Sequence, residues 1–167
     1  MKKWSIPAIV ISAIFVAGCY SFRGGSVPPH LSTIVIPEIE DVSGYGDGTI
    51  RQDFTAFLIR RFREDNSLRV VEQAGADVRL EVTLSTLRDD IRLGVTGQEL
   101  ETDRGVIIEA RVTFTDNVRR RPVYRDRQFV GRSQYAISSG LDGRRTAIRE
   151  SLVRLTDDIL LATVADW

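Results

Sequence analysis

Few residues in this 167-residue chain can support covalent or metal chemistry, because it contains one cysteine and one histidine. The histidine, His30, follows Pro28-Pro29 in a segment that we expect to be solvated. One histidine and one lipidated cysteine cannot assemble a zinc site of the usual ligand types. A serine or cysteine nucleophile needs a histidine base beside it. The sequence therefore predicts no catalytic residues, no metal site and no cofactor.

The single cysteine, Cys19, ends an N-terminal segment that has the pattern of a secretory signal. Two lysines precede thirteen uncharged residues, 6–18, which are fewer than the roughly 20 that a membrane-spanning helix needs. Val16-Ala17-Gly18-Cys19 resembles a bacterial lipobox, in which small residues admit the peptidase and the thiol accepts a diacylglycerol. Lipidation would also remove a thiol that has no disulfide partner. We predict a signal peptide over residues 1–18, cleavage between Gly18 and Cys19, and a lipid on Cys19.

Cleavage would leave a mature chain with a formal charge of −2, which makes nucleic acid an unexpected partner. Tyr20 follows the cysteine, where an Asp would favour retention in the inner membrane, so the route to the outer membrane stays open. Gly24-Gly25 and Pro28-Pro29 predict a lipidated tether over residues 19–32.

Two further patterns resemble sites but favour simpler interpretations. The sequence Gly-Tyr-Gly-Asp-Gly at residues 44–48 precedes a helix, yet it lacks the Lys-Ser/Thr of a phosphate loop, and Asp47 would repel phosphate. Asp89-Asp90 and Asp157-Asp158 are adjacent pairs, whose side chains point apart on a strand or a helix. We interpret the first as a turn and the carboxylates as solvated surface.

Arginines form the one cluster that could bind a ligand. Arg119, Arg120 and Arg121 fall in a predicted hairpin loop, and arginine is suited to bidentate contact with phosphate. We predict contact of this loop with the phosphates of lipopolysaccharide. The alternative is a charged surface balanced by acids such as Asp116 and Asp126. Other arginines nearby in sequence are Arg125, Arg127, Arg132, Arg144 and Arg145.

The elements that must position these residues follow from hydrophobic periodicity. Strands are predicted over residues 33–39, 68–72, 78–85, 106–114 and 124–137, and helices over 50–64 and 141–165. Pro37 indicates an edge strand or a strand end, and Asp47 or Thr49 is the expected N-cap of the first helix. The predicted inward residues are Ile50, Phe54, Phe57, Leu58 and Phe62 on the first helix, Phe129, Tyr135 and Ile137 on the last strand, and Ile148, Leu152, Leu155, Ile159 and Ala162 on the last helix.

Burying these apolar faces against each other gives an α+β domain over residues 33–167. We predict two helices packed on one face of a mostly antiparallel sheet of four to five strands.

The order of these segments behind a lipobox resembles the LptE family of lipopolysaccharide-assembly lipoproteins. The similar segments are Cys19-Tyr20-Ser21-Phe22-Arg23-Gly24, the strand after the tether with its loop and helix, Leu68-Arg69-Val70-Val71-Glu72, Ala76-Asp77-Val78 and the closing helix. The first of these segments, Cys19–Gly24, lacks the glycine that many family members carry directly after the cysteine.

This resemblance implies a lipid-anchored protein of the outer membrane, facing the periplasm, and not an enzyme. It implies that the protein plugs the LptD-type barrel, assists its assembly and helps to deliver lipopolysaccharide to the outer leaflet. The implied fold is two helices on a four-stranded sheet. Cys19 is the one residue whose role is carried over. Two alternatives stay open: an outer-membrane lipoprotein that activates a peptidoglycan synthase or joins a secretion complex, and a periplasmic hydrolase, against which the missing histidine–nucleophile pair argues.

Overall fold

A computed structural model describes residues 27–72, 75–93, 102–165 and 167 of the chain. A short 3₁₀ turn, Ile137–Ser139, separates the last strand from the last helix. The remaining elements, in chain order, are β1 Thr33–Val35, β2 Glu40–Asp41, α1 Gly48–Asp65, β3 Arg69–Val70, β4 Val78–Arg92, β5 Asp103–Asp116, β6 Arg121–Ala136 and α2 Gly140–Ala165.

Helix α1 begins and ends where local sequence dictates. The Asp47 carboxylate accepts hydrogen bonds from the Thr49 backbone N–H, at 3.0 Å, and from the Thr49 hydroxyl, at 2.7 Å, which confirms Asp47 as the N-cap. The helix ends at Asn66, which adopts the left-handed conformation with φ 60° and donates its N–H to the Phe62 carbonyl. All five predicted inward residues of α1 are buried.

The sheet agrees roughly with the predicted four to five strands, and its long strands are antiparallel as predicted, but it is mixed, because the short strands pair in parallel. Five of its six strands lie in the order β3-β1-β4-β5-β6, and the sixth, β2, pairs separately with β4. β1 is parallel to both of its neighbours, β3 and β4. Helix α1 accounts for the pairing with β3, because a helical crossover returns the chain to the starting end and makes the next strand parallel.

The predicted antiparallel meander of β4, β5 and β6 is confirmed, but its strands are longer than the periodicity indicated. They contain 15, 14 and 16 residues. The β4–β5 register shifts between Leu84 and Thr86 and again between Arg88 and Ile91. Such irregularities interrupt strict alternation, so the second half of β4 did not have the pattern of a strand.

One apolar face of the sheet and the two helices share a single core. The five predicted stripe residues of α2 are buried. Gly131 of β6 lets α2 approach closely, since a Cβ there would lie 3.0 Å from the Ser151 carbonyl carbon and 3.1 Å from the Leu155 Cβ. The Ser133 hydroxyl fastens the same contact by donating to the Ala147 carbonyl at 2.6 Å.

Two sequence predictions fail at the ends of strands. Ile137 was predicted to point inward, but it begins the 3₁₀ turn and is 42% exposed. The first strand was predicted over residues 33–39, but β1 ends at Val35, before Pro37, and the chain re-joins the sheet as β2. The missing N–H of proline ends the pairing there.

Candidate functional site

The two ends of the sheet carry different polar clusters. We call them the Asp116 end, where β1 and β4 start and the β5–β6 hairpin turns, and the Asp89 end, where β4 and β6 finish and α2 begins. At the Asp116 end, the imidazole Nε2 of His30 lies 3.1 Å from the Asp116 carboxylate. Leu31 beside it is buried. The segment just before β1 therefore packs on the body, and His30 is partnered, whereas the sequence suggested a solvated histidine.

Asp116 is itself buried, with its side chain 2% exposed. Burial alone would raise the pKa of this carboxyl. Hydrogen bonds from the Arg119 backbone N–H, at 2.8 Å, and from His30 outweigh that effect, so the pKa lies below its usual value. The ionised carboxylate caps the hairpin turn and holds it in one conformation.

A second carboxylate, Asp77, ties β1 to the start of β4 at this end. One oxygen accepts the backbone N–H groups of Ser32 and Thr33 at 2.9 and 3.0 Å. The same oxygen accepts both of their hydroxyls at 2.9 Å. These donors, with the Ser32 backbone first, lower the pKa of Asp77 to about 2.

The predicted arginine cluster lies on the hairpin turn of the Asp116 end. Arg119 and Arg120 are in the turn, and Arg120 has a positive φ of 52°. Arg121 was predicted in the loop but is the first residue of β6 and pairs with Asp116. All three are exposed, and Val118 beside them is 55% exposed. The Arg119 guanidinium is 4.0 Å from the Asp116 carboxylate. The turn thus presents guanidinium groups and one apolar side chain to solvent.

The Asp89 end contains a partly buried polar cluster that the sequence did not predict. Asp89 was predicted at the surface but is 5% exposed. It accepts hydrogen bonds from the Tyr45 hydroxyl and from the Arg144 guanidinium. Arg144 also donates to the Tyr45 hydroxyl at 3.2 Å, and the Tyr135 hydroxyl donates to the Asp89 carbonyl at 2.9 Å.

This cluster joins the loop before α1, strand β4 and the first turn of α2. Burial and the adjacent Asp89 raise the pKa of Tyr45, and the Asp89 hydrogen bond raises that of Arg144. The prediction for Asp89 is wrong because the register shift between Leu84 and Thr86 changes which side chains point inward, so that Leu87 and Asp89 face the helices. The predictions for Asp90, Asp157 and Asp158 as exposed residues are confirmed.

The described residues contain no group of three or more His, Cys, Asp or Glu side chains that could hold a metal ion. Neither of the described helices is long and apolar enough to cross a membrane. Gly18 and Cys19 lie outside the described residues.

Comparison with known families identifies the fold and its role. The family model described as LptE, lipopolysaccharide-assembly, matches residues 31–163. The chain belongs to the LptE family. The match begins at the buried Leu31 and ends within α2, so it covers nearly the whole described body. LptE proteins are non-catalytic lipoproteins of lipopolysaccharide assembly, which agrees with the resemblance found in the sequence.

Solved structures share the fold. A Xanthomonas campestris protein has a TM-score of 0.63 at 14% identity, with 86% of this chain and 91% of that chain covered. Uncharacterized lipoprotein B from Nitrosomonas europaea has a TM-score of 0.56 at 12% identity, covering 88% and 90%. PelC from Paraburkholderia phytofirmans, a dodecamer, has a TM-score of 0.52 at 11% identity, with 85% of this chain and 95% of that chain covered. At these identities the likeness shows the fold alone. No curated protein matches the sequence.

Proposed function

We propose that this LptE-family protein is anchored to the outer membrane by a lipid on Cys19, faces the periplasm, and plugs an LptD-type barrel. In this role it assists assembly of the barrel and helps to deliver lipopolysaccharide to the outer leaflet. The observation that carries the proposal is the family match over residues 31–163 behind the lipobox at Val16-Ala17-Gly18-Cys19. Tyr20 after the cysteine supports outer-membrane sorting.

The surface of the body supports the role of a plug. The interior of a large outer-membrane barrel is polar. The face of the sheet opposite the helices is polar too: Arg79 pairs across the strands with Thr115, Glu81 with Thr113, and Thr83 with Arg111. The outward sides of both helices carry ion pairs, such as Arg61 with Asp157 at 2.6 Å. A rigid body that is polar on both sides suits a polar lumen.

Arg119, Arg120 and Arg121 stay a prediction as phosphate-binding residues. Their exposure leaves the guanidinium groups accessible, as contact with a phosphate requires. Reversing all three charges should weaken binding of lipopolysaccharide by the purified protein. Unchanged binding would remove these residues from the proposal.

A pull-down from solubilised outer membranes of the source bacterium tests the partner. The lipidated chain should recover a large barrel protein, and the Cys19→Ser chain should fail to sediment with outer membranes. Recovery of a peptidoglycan synthase or a secretion complex in place of a barrel would contradict the proposal and favour the corresponding alternative.

Photocrosslinking separates a plug from a partner bound on one side. Arg111 is exposed on the outer face of the sheet. Leu161 of α2 is 63% exposed on the opposite, helical side. Photoreactive residues at these two positions should both crosslink to the barrel, because a lumen surrounds its plug. Crosslinks from one position only would refute the plug geometry.

A further inference from the structure

We infer that the β5–β6 turn, together with Arg121 at the start of β6, docks on the anionic phospholipid headgroups of the membrane leaflet that holds the Cys19 lipid. The inference rests on the proposed lipid anchor. It adds an orientation of the body to that proposal and names the source of the phosphates that the arginines contact.

The path of the chain brings this turn close to the anchor. Seven residues, 20–26, separate Cys19 from Val27, which packs against the core. His30 then contacts Asp116, directly beside the turn. Eight chain steps at about 3.3–3.6 Å each cannot span more than about 29 Å. The chain thus enters the body at the Asp116 end, within about 29 Å of its lipid.

The length of the strands excludes the reversed orientation. Strand β5 has 14 residues, which at about 3.3 Å per residue gives about 46 Å between the two ends of the sheet. If the Asp89 end faced the membrane, the segment before Val27 would have to cover that whole length. Its maximum reach of about 29 Å is too short. The Asp116 end therefore faces the anchoring leaflet or lies beside it.

The composition of the turn fits an anionic interface. Each arginine near an anionic leaflet contributes about 1 kcal/mol to membrane attraction, and three exposed arginines are adjacent here. Val118, 55% exposed, is the apolar side chain that can enter the headgroup layer. Trp167 lies at the same end, packed on Phe114 with ring centroids 5.3 Å apart and 37% exposed. Tryptophan is enriched at the level of lipid headgroups.

The nearby carboxylates, Asp116 and Asp77, offset part of the positive charge of the arginines, but both are bound by internal donors, so their oxygens are not presented to the headgroups. Asp116 is buried under His30 and the Arg119 backbone N–H. Asp77 accepts from Ser32 and Thr33. The turn is also held rigidly, since the Asn117 backbone N–H donates to the Asp77 carbonyl at 2.9 Å. A rigid turn presents its arginines without a further cost of ordering.

A single-label experiment tests the inference without the lipid. The test protein begins at residue 19 and carries Cys19→Ser, which removes the only cysteine of the chain. Adding Val118→Cys then allows one environment-sensitive fluorophore to be attached at position 118. Leu141→Cys is the control, because Leu141 is 67% exposed at the Asp89 end. With phosphatidylglycerol–phosphatidylethanolamine vesicles, the label at 118 should shift to the blue and the label at 141 should not. With phosphatidylcholine vesicles neither should shift.

Charge variants test the arginines. Replacing Arg119, Arg120 and Arg121 by Gln should reduce partitioning to the anionic vesicles about 100-fold, since about 1 kcal/mol each is about fivefold per arginine. The matched control replaces Arg88, Arg111 and Arg145, three exposed arginines away from the turn, by Gln. It should change partitioning less than about threefold. An equal loss in the two triple variants, or entry of the label at 141 into lipid, would overturn the inference.

A parallel titration with lipopolysaccharide micelles separates the two phosphate sources. Binding to these micelles but not to the phospholipid vesicles would refute docking on the leaflet. This result would leave the proposed role in lipopolysaccharide assembly intact. Conversely, failure of the barrel pull-down together with normal vesicle docking would refute the proposed partner and leave the turn as a membrane contact.

Discussion

Gly131 gives the sharpest test of how the helical layer is held on the sheet. In Gly131→Ala, the new methyl group would lie 3.0 Å from the Ser151 carbonyl carbon and closer still to its oxygen. The obstacle is helix backbone, which cannot rotate away as a flexible side chain can. Helix α2 must therefore shift off β6, which also disturbs the hydrogen bond of Ser133 to Ala147.

The size of the effect follows from two opposing contributions. Overpacking of this kind costs about 1–3 kcal/mol, and the Ala side chain returns about 0.4–1 kcal/mol by restricting the unfolded chain. We expect a net loss of about 1.3 kcal/mol in the free energy of unfolding. For a domain of this size that lowers the midpoint of thermal unfolding by about 4 °C, and the urea midpoint by about 0.7 M.

Urea and thermal unfolding followed by circular dichroism would measure the loss. Gly48→Ala is the matched control, because it has the same effect on the unfolded chain and its new Cβ meets nothing within 4 Å. It should leave stability unchanged or raise it slightly. If Gly131→Ala behaved like Gly48→Ala, close approach of α2 at Gly131 could not be what positions the helix.

Three further predictions concern the polar clusters and a helix end. Asp89→Ala should lower the free energy of unfolding by about 2–3 kcal/mol. This loss is smaller than for a fully buried ion pair, because the Arg144 side chain is 38% exposed. The control, Asp90→Ala, should change the free energy of unfolding by less than about 0.5 kcal/mol, and equal effects of the two variants would refute the role of the Asp89 cluster. The pKa of Asp77 is about 2 in the folded chain against 3.8 ordinarily, a difference of about 2.4 kcal/mol that solvent screening of this partly exposed carboxylate reduces to about 1 kcal/mol. This stabilisation is present above about pH 4 and is lost as the pH falls towards 2. Urea unfolding between pH 5 and 2 should therefore show a smaller acid loss in Asp77→Asn, and identical profiles would exclude this carboxylate. Asn66→Ala should cost about 1 kcal/mol because alanine resists the left-handed conformation at φ 60°, whereas Asn66→Gly should be close to neutral in the same assay.

Elements whose determinants are local could be predicted from the sequence. The Asp47 cap, the five inward residues of α1 and the stripe of α2 need only a few neighbours along the chain to define them. The parallel pairing of β1 could not be read in this way, because Ile34 finds its partners at Val70 and Val78, far along the chain. Such pairing depends on the crossover helix and not on the pattern within the strand.

The candidate sites show the same limit. Exposed arginines in a turn follow from a local run of charge, and the structure places Arg119 and Arg120 there. The burial of Asp89 depends on a register shift and on two distant partners, Tyr45 and Arg144. The contact of His30 with Asp116 joins residues 86 positions apart. One clue was present, since a strand that continued through Asp89-Asp90 would have had to place one carboxylate on the inner face.

The long strands of the meander make the body about as long as a membrane is thick. Its strands extend about 46 Å at about 3.3 Å per residue, and a bilayer with its headgroups is about 40–45 Å thick. In the proposed arrangement, a barrel that held the body upright would bring the loops beside Tyr45 and Arg144 level with the outer surface, while the hairpin at Asp116 stayed with the lipid. A periplasmic lipoprotein of this length can thus present one end to the cell exterior, and antibodies against the Asp89 end on intact cells would detect it there.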